Sequence, residues 1–396
     1  MPSLHSDDTT WASVRNRHLG RARIHECRNP PRRQKETTRN KTMLDLADNR
    51  MARMGICIAI ALTGGVIAAA LSIPLPYMLG AIAASMMAAM AGVPVERPSM
   101  TIVTPMRVTL GVLLGSTITP ELLDRIGAVA GAVAVVPLFV ILAAIIGTIY
   151  YERVAGYTRE EAYFSALPGG LHIMTLYAEE RGIDIRRVAL AHSLRITFVV
   201  ILTTVVTSTI VDLPTVSVED ATVHIDELTA TDAVVLILIG LIGWVLGRAT
   251  GLAGALMVVP MLCTAVANIM GLVSARPPVE LVIAAQTILG ANIGARFVGE
   301  KIGVLTRAMR HALGHVSLML CLAAMFALLL NQAFDLPILT GMLSFAPGGM
   351  SEIGLIALAL GLDVGFVATI QLTRLMSINV FGPMVYRQIS ALLNTK

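Results

Sequence analysis

The chain has 396 residues, 55% of them hydrophobic and 14% charged, with a formal net charge of +4 and a mean hydropathy of +0.75. So little charge cannot coat a soluble globule of this length, and the soluble classes are excluded. Apolar runs of about 17–25 residues recur from Arg53 to Leu393, long enough to cross a ~30 Å hydrocarbon core, and in lipid such runs have to be helical.

Residues 1–50 differ in kind, holding 11 of the 30 Lys and Arg and no apolar run. They are expected to form a disordered basic N-terminal tail, or an over-extended start with initiation at Met43 or Met51; the alternative is a basic arm touching anionic lipid or, only non-specifically, nucleic acid. The tail has no early apolar stretch of the length a signal peptide needs. Cys27, Cys57, Cys263 and Cys321 are scattered, which indicates neither a disulfide frame nor a zinc site.

Five apolar helices are then predicted within 51–211, at about 53–72, 77–92, 101–118, 126–150 and 186–211. A polar linker at 212–231 contains no Lys or Arg. Five more helices follow within 232–396, at about 232–249, 252–271, 280–297, 311–331 and 364–386. The two blocks repeat one another. An offset of 179 residues lays "SALPGG" (165–170) on "SFAPGG" (344–349), and Gly182, Asp184 and Arg195 on Gly361, Asp363 and Arg374. Upstream the same offset pairs Gly111 and Gly115 with Gly290 and Gly294, which reads as an internal duplication.

The distribution of Lys and Arg selects the topology, because basic residues near helix ends stay on the cytoplasmic side. If each Pro-Gly-Gly segment dips in and returns, Arg153, Arg159, Arg181, Arg186 and Arg187 are all cytoplasmic and the linker is extracytoplasmic. The second block then runs inverted, with Arg296, Lys301, Arg307 and Arg310 cytoplasmic and Arg276 the one misfit. The expected fold is an all-α integral membrane protein of two inverted repeats, each with five transmembrane helices plus one re-entrant Pro-Gly-Gly hairpin. The N-terminus lies inside a bacterial inner membrane.

Within each hairpin Pro168 or Pro347 ends the first arm, and Gly169 and Gly170, or Gly348 and Gly349, make the turn. The second arm opens with free N–H groups that favour an anion, beside His172 in one copy and Ser351 in the other. Irregular backbone at this depth has to line a cavity. Paired broken helices meeting at mid-membrane are the layout of secondary transporters.

Asp184 and Asp363 open the helix after each hairpin and are read as structural. Arg195 and Arg374 come 11 residues later, roughly 16 Å along the axis and near the bilayer centre. An arginine there costs at least ~2.5 kcal/mol and needs a cavity or a partner, and its fork suits carboxylate or phosphate. Two readings stay open: contact with an anionic substrate, or a lock onto Glu352 or a backbone carbonyl. His192 and Gln371 share the face of each arginine, three residues before it. Glu352 has Ile173 as its counterpart, so one hairpin is expected to bind and the other, through Glu352, to couple a proton. Arg107 and Gln286 also correspond, with Asn292 nearby, and are read as packing or pore-lining. The Gly-x-x-x-Gly pairs read as close-packing faces. His311 and His315, at i, i+4 but without an acidic third ligand, are not read as a metal site.

The blocks "ALPGGLHIMTLYAEERGIDIRRVALAHSLR" and "APGGMSEIGLIALALGLDVGFVATIQLTR" resemble the bacterial membrane-protein family called AbrB over about residues 53–390. The resemblance carries two functional labels, regulator of gene expression and ammonia monooxygenase. A copper oxygenase needs convergent histidines, and those of the apolar part are few and dispersed. No segment has the alternating strands of the small DNA-binding namesake. The chain is therefore expected to be a carrier rather than an enzyme, without a cofactor, moving a small organic anion through surrounding lipid. The alternative is a membrane-bound regulator of gene expression and the second alternative an ammonia monooxygenase-like enzyme, which the scattered histidines disfavour; a homo-oligomer is compatible with each.

Overall fold

The computed structural model describes residues 49–118, 126–167, 179, 182–210, 222–251, 254–273 and 275–393. The basic tail, the first hairpin beyond Leu167 and most of the linker lie outside them, and with them Pro168, Gly169, Gly170 and His172.

The described residues form α-helices: α1 (Arg50–Ala70), α2 (Pro76–Met90), α3 (Met100–Ser116), α4 (Ile126–Arg153), α5 (Arg159–Ala166) and α6 (Ile185–Ile210). After the linker come α7 (Ala230–Thr250), α8 (Ala255–Ile269), α9 (Val279–Gly294), α10 (Ile302–Phe334), α11 (Ile338–Phe345), α12 (Met350–Ala359) and α13 (Val364–Leu393). Among the described residues no strand occurs, and Val223 and Pro278 form one isolated bridge. Local chemistry sets several starts. Asn49 accepts from the Met51 amide, Thr229 from Asp232, and Thr158 forms a capping box with Glu161. Pro76 sits in the first turn of α2, where a missing N–H costs nothing.

Five of these helices, α1, α4, α6, α7 and α10, are long and apolar enough to cross a membrane, the mark of a multi-pass membrane protein. α2, α3 and α8, at 15, 17 and 15 residues, cover about 22–26 Å. Their outward faces are apolar. On α7 alone Ile237, Leu238, Leu241, Ile242 and Val245 are each about half exposed, a surface that lipid rather than water covers. α10 corrects the expected 311–331 by starting nine residues earlier, at Ile302. Arg307 and Arg310 resemble loop residues in sequence but are good helix formers, and they face outward while Leu305 and Ala312 are buried.

The glycine pairs act as predicted, and their partners lie in the opposite half of the chain. Gly111 and Gly115 on α3 press on the Met257 and Met261 carbonyls of α8. Gly290 and Gly294 on α9 press on the Met78 and Ile82 carbonyls of α2. A methyl at any of the four would collide with backbone, so only glycine lets these helices approach so closely. In both cases the partner carbonyls stand 179 residues apart, as do the glycines.

Candidate functional site

The chain breaks between α11 and α12 at Ala346, Pro347, Gly348 and Gly349. Proline cannot continue α11, and Gly349 caps α12 in extended geometry, φ −76° and ψ 149°. Such a break strands the last carbonyls of α11 inside the protein, where an unmet acceptor is costly. Arg374 and Gln371, on α13, meet them. Arg374 donates from Nη1 to Phe345 O at 3.2 Å and Ala346 O at 2.5 Å, and from Nη2 to Gly348 O at 3.2 Å. Its Nη2 also donates to Gln371 Oε1 at 2.6 Å, while Gln371 Nε2 donates to Leu343 O at 3.0 Å and Ala346 O at 3.2 Å. A guanidinium here also offsets the negative end of the α11 dipole.

The first half repeats the scheme with one residue changed. Arg195 donates from Nη1 to Leu167 O at 2.7 Å, again across 28 residues, and bonds His192 Nδ1 at 2.9 Å. His192 Nε2 meets Phe164 O at 2.8 Å, just as Gln371 meets Leu343. A carbonyl only accepts and an arginine only donates, so the neutral imidazole carries its proton on Nε2. Of the two readings of the arginines, the backbone lock is the contact present at both. Among the described residues no ion pair joins Glu352 to either arginine.

Glu352 is buried in the first turn of α12, its carboxylate folded back against Gly349, where a Cβ would collide with it. Ser351 beside it is half-buried. Asp184 accepts from the Arg186 amide at 3.0 Å and Asp363 from the Phe366 amide at 2.9 Å, so each caps the helix it opens. His315 is buried against the Tyr151 ring, centroids 4.7 Å apart, and among the described residues no three His, Cys, Asp or Glu gather.

Sequence reading missed Arg296, which it counted only for topology. It sits in the 3-10 turn after α9, and among the described residues its buried Nε and Nη1 have no hydrogen-bond partner. The signal was an arginine one turn past Asn292 at the end of a mostly apolar helix.

Residues 77–390 match the family described as "Transition state regulatory protein AbrB". The chain is 26% identical over 327 residues to "Putative regulator AbrB" of Escherichia coli (strain K12), covering 81% of this chain and 92% of that protein. It is also 32% identical over 104 residues to "Uncharacterized protein YhjN" of Bacillus subtilis (strain 168), covering 26% of this chain and 27% of that one. By the extent of the family match, this multi-helical chain belongs to the AbrB family.

Proposed function

We propose that the chain is a secondary transporter of a small organic anion, not an enzyme. It would lie in the bacterial inner membrane as two inverted repeats with its N-terminus cytoplasmic. The observation that carries this reading is the helix break at Pro347-Gly348-Gly349, fastened by a buried arginine and flanked by a buried acid in a chain of apolar helices. Open backbone and charge at such depth are costly in lipid and typify carrier sites. The matched Arg374–Ala346 and Arg195–Leu167 bonds, and the glycine contacts exchanged between the two halves, support the duplication.

The test is uptake of labelled organic acids by liposomes holding the purified chain. Protein-dependent, saturable uptake of at least one acid is expected, and flux equal to empty liposomes for the whole panel overturns the reading. The relative's name favours a second reading, membrane-bound regulation, in which deletion alters transcription while the liposomes stay silent.

A further inference from the structure

With Arg195 and Arg374 bonded to carbonyls through their forks, a different cation has to meet the solute, and among the described residues Arg296 is the arginine with two buried nitrogens, Nε and Nη1, that no hydrogen bond occupies. Its guanidinium interacts electrostatically with Arg97, just ahead of α3, with Arg107 on α3, and with Glu352 on α12. Arg97 and Arg107 also act on each other, and Arg97 Nη2 donates to Asn292 Oδ1 at 3.4 Å, one turn before Arg296 on α9. Glu96, next to Arg97, is already bridged to Arg50 and Arg53.

Counting Glu96 with the two arginines bridged to it, five cations stand against two carboxylates, so positive charge is in excess where α9 and α12 both pack on α3. Like charges in a partly dry site repel strongly unless an anion joins them. Arg374 holds carbonyls with both Nη1 and Nη2, whereas the Nη1 and Nε of Arg296 make no hydrogen bond among the described residues and can turn on a ligand. Deepening the carrier reading above, we propose that Arg296, Arg107 and Arg97 form an oxyanion site beside α12. Its ligand carries two negative charges on carboxylate or phosphate oxygens, and Glu352 is the counter-charge of Arg296 between binding events.

The experiment is thermal melting of the full chain in nanodiscs with succinate, inorganic phosphate or propionate. One or both dianions are expected to raise the melting temperature, propionate at equal concentration much less, and the better dianion tells carboxylate from phosphate. Half-saturation should rise at least tenfold in Arg296→Gln and in Arg107→Gln, with Arg296→Lys between. Should Arg296→Gln fail to fold, Arg107→Gln carries the comparison. Unchanged half-saturation in the Gln variants, propionate as effective as the dianions, or no stabilisation by any probe overturns the site. Binding without flux would sink the carrier reading alone, and flux with unchanged half-saturation in Arg296→Gln would sink this site alone.

Discussion

Arg186 Nε donates to Glu300 Oε1 at 2.8 Å, tying the first turn of α6 to the loop between α9 and α10. At the other end of α9, the Val279 amide donates to Val223 O at 2.9 Å and so holds the linker. α9 has 16 residues, about 24 Å, and these two contacts therefore sit at opposite ends of one helix. The linker and the Arg186 segment are kept apart by roughly the thickness of a hydrocarbon core.

If α9 crosses the membrane, this separation becomes sidedness. In a background lacking the native cysteines, Asp226→Cys should react with an impermeant maleimide in intact cells, and Glu179→Cys only after lysis. Reaction of Glu179→Cys from outside would break the inverted topology.

The carbonyl lock predicts unequal costs. Arg374→Gln strands the acceptors at the end of α11, which should cost roughly 2–3 kcal/mol and lower the melting temperature by several degrees. Glu352→Gln keeps the shape of the side chain against Gly349 and strands no backbone acceptor, so although Arg296 loses its counter-charge, melting should fall less than in Arg374→Gln. As the proposed coupling residue it should keep substrate exchange but lose the response to a pH gradient. Equal losses of stability in both variants would instead indicate a buried ion pair.

Close approach of the two halves rests on glycine. Gly111→Ala and Gly290→Ala should each cost about 1–3 kcal/mol, because the new methyl meets backbone that cannot yield. Gly303, on α10, has open space around it, so Gly303→Ala should be neutral or stabilising by roughly 0.5–1 kcal/mol. Melting curves in one detergent decide this, and similar losses at all three sites would refute the packing argument.

The linker carries a pH-sensitive tie. The hydrogen bond from His224 to Glu280, 3.3 Å, raises the imidazole above the ordinary histidine value. A raised value means the folded form holds the proton more tightly, so the tie is complete below the unfolded value and is lost as pH rises through the folded one. In a histidine-selective NMR titration, Glu280→Gln should return the His224 midpoint toward the ordinary value. Identical midpoints in the two proteins would show that the tie is absent in solution.

Much of this protein was legible without its fold. Apolar runs, the 179-residue offset, the breaks at proline and glycine, and the place of Asp184 and Asp363 at helix starts all follow from short-range chemistry, which residue identity and spacing largely determine. Tertiary structure alone decided the partners. Arg195 and Arg374 were equally consistent with a solute, an acid or a carbonyl, since their long side chains reach several targets and only packing selects one. That Gly111 and Gly290 serve the opposite half, and that Arg296 keeps unspent donors beside Glu352, depends on contacts between residues far apart in the chain. Spacing along one helix carries no information about such contacts, because the neighbouring helix is chosen by the packing of the whole bundle.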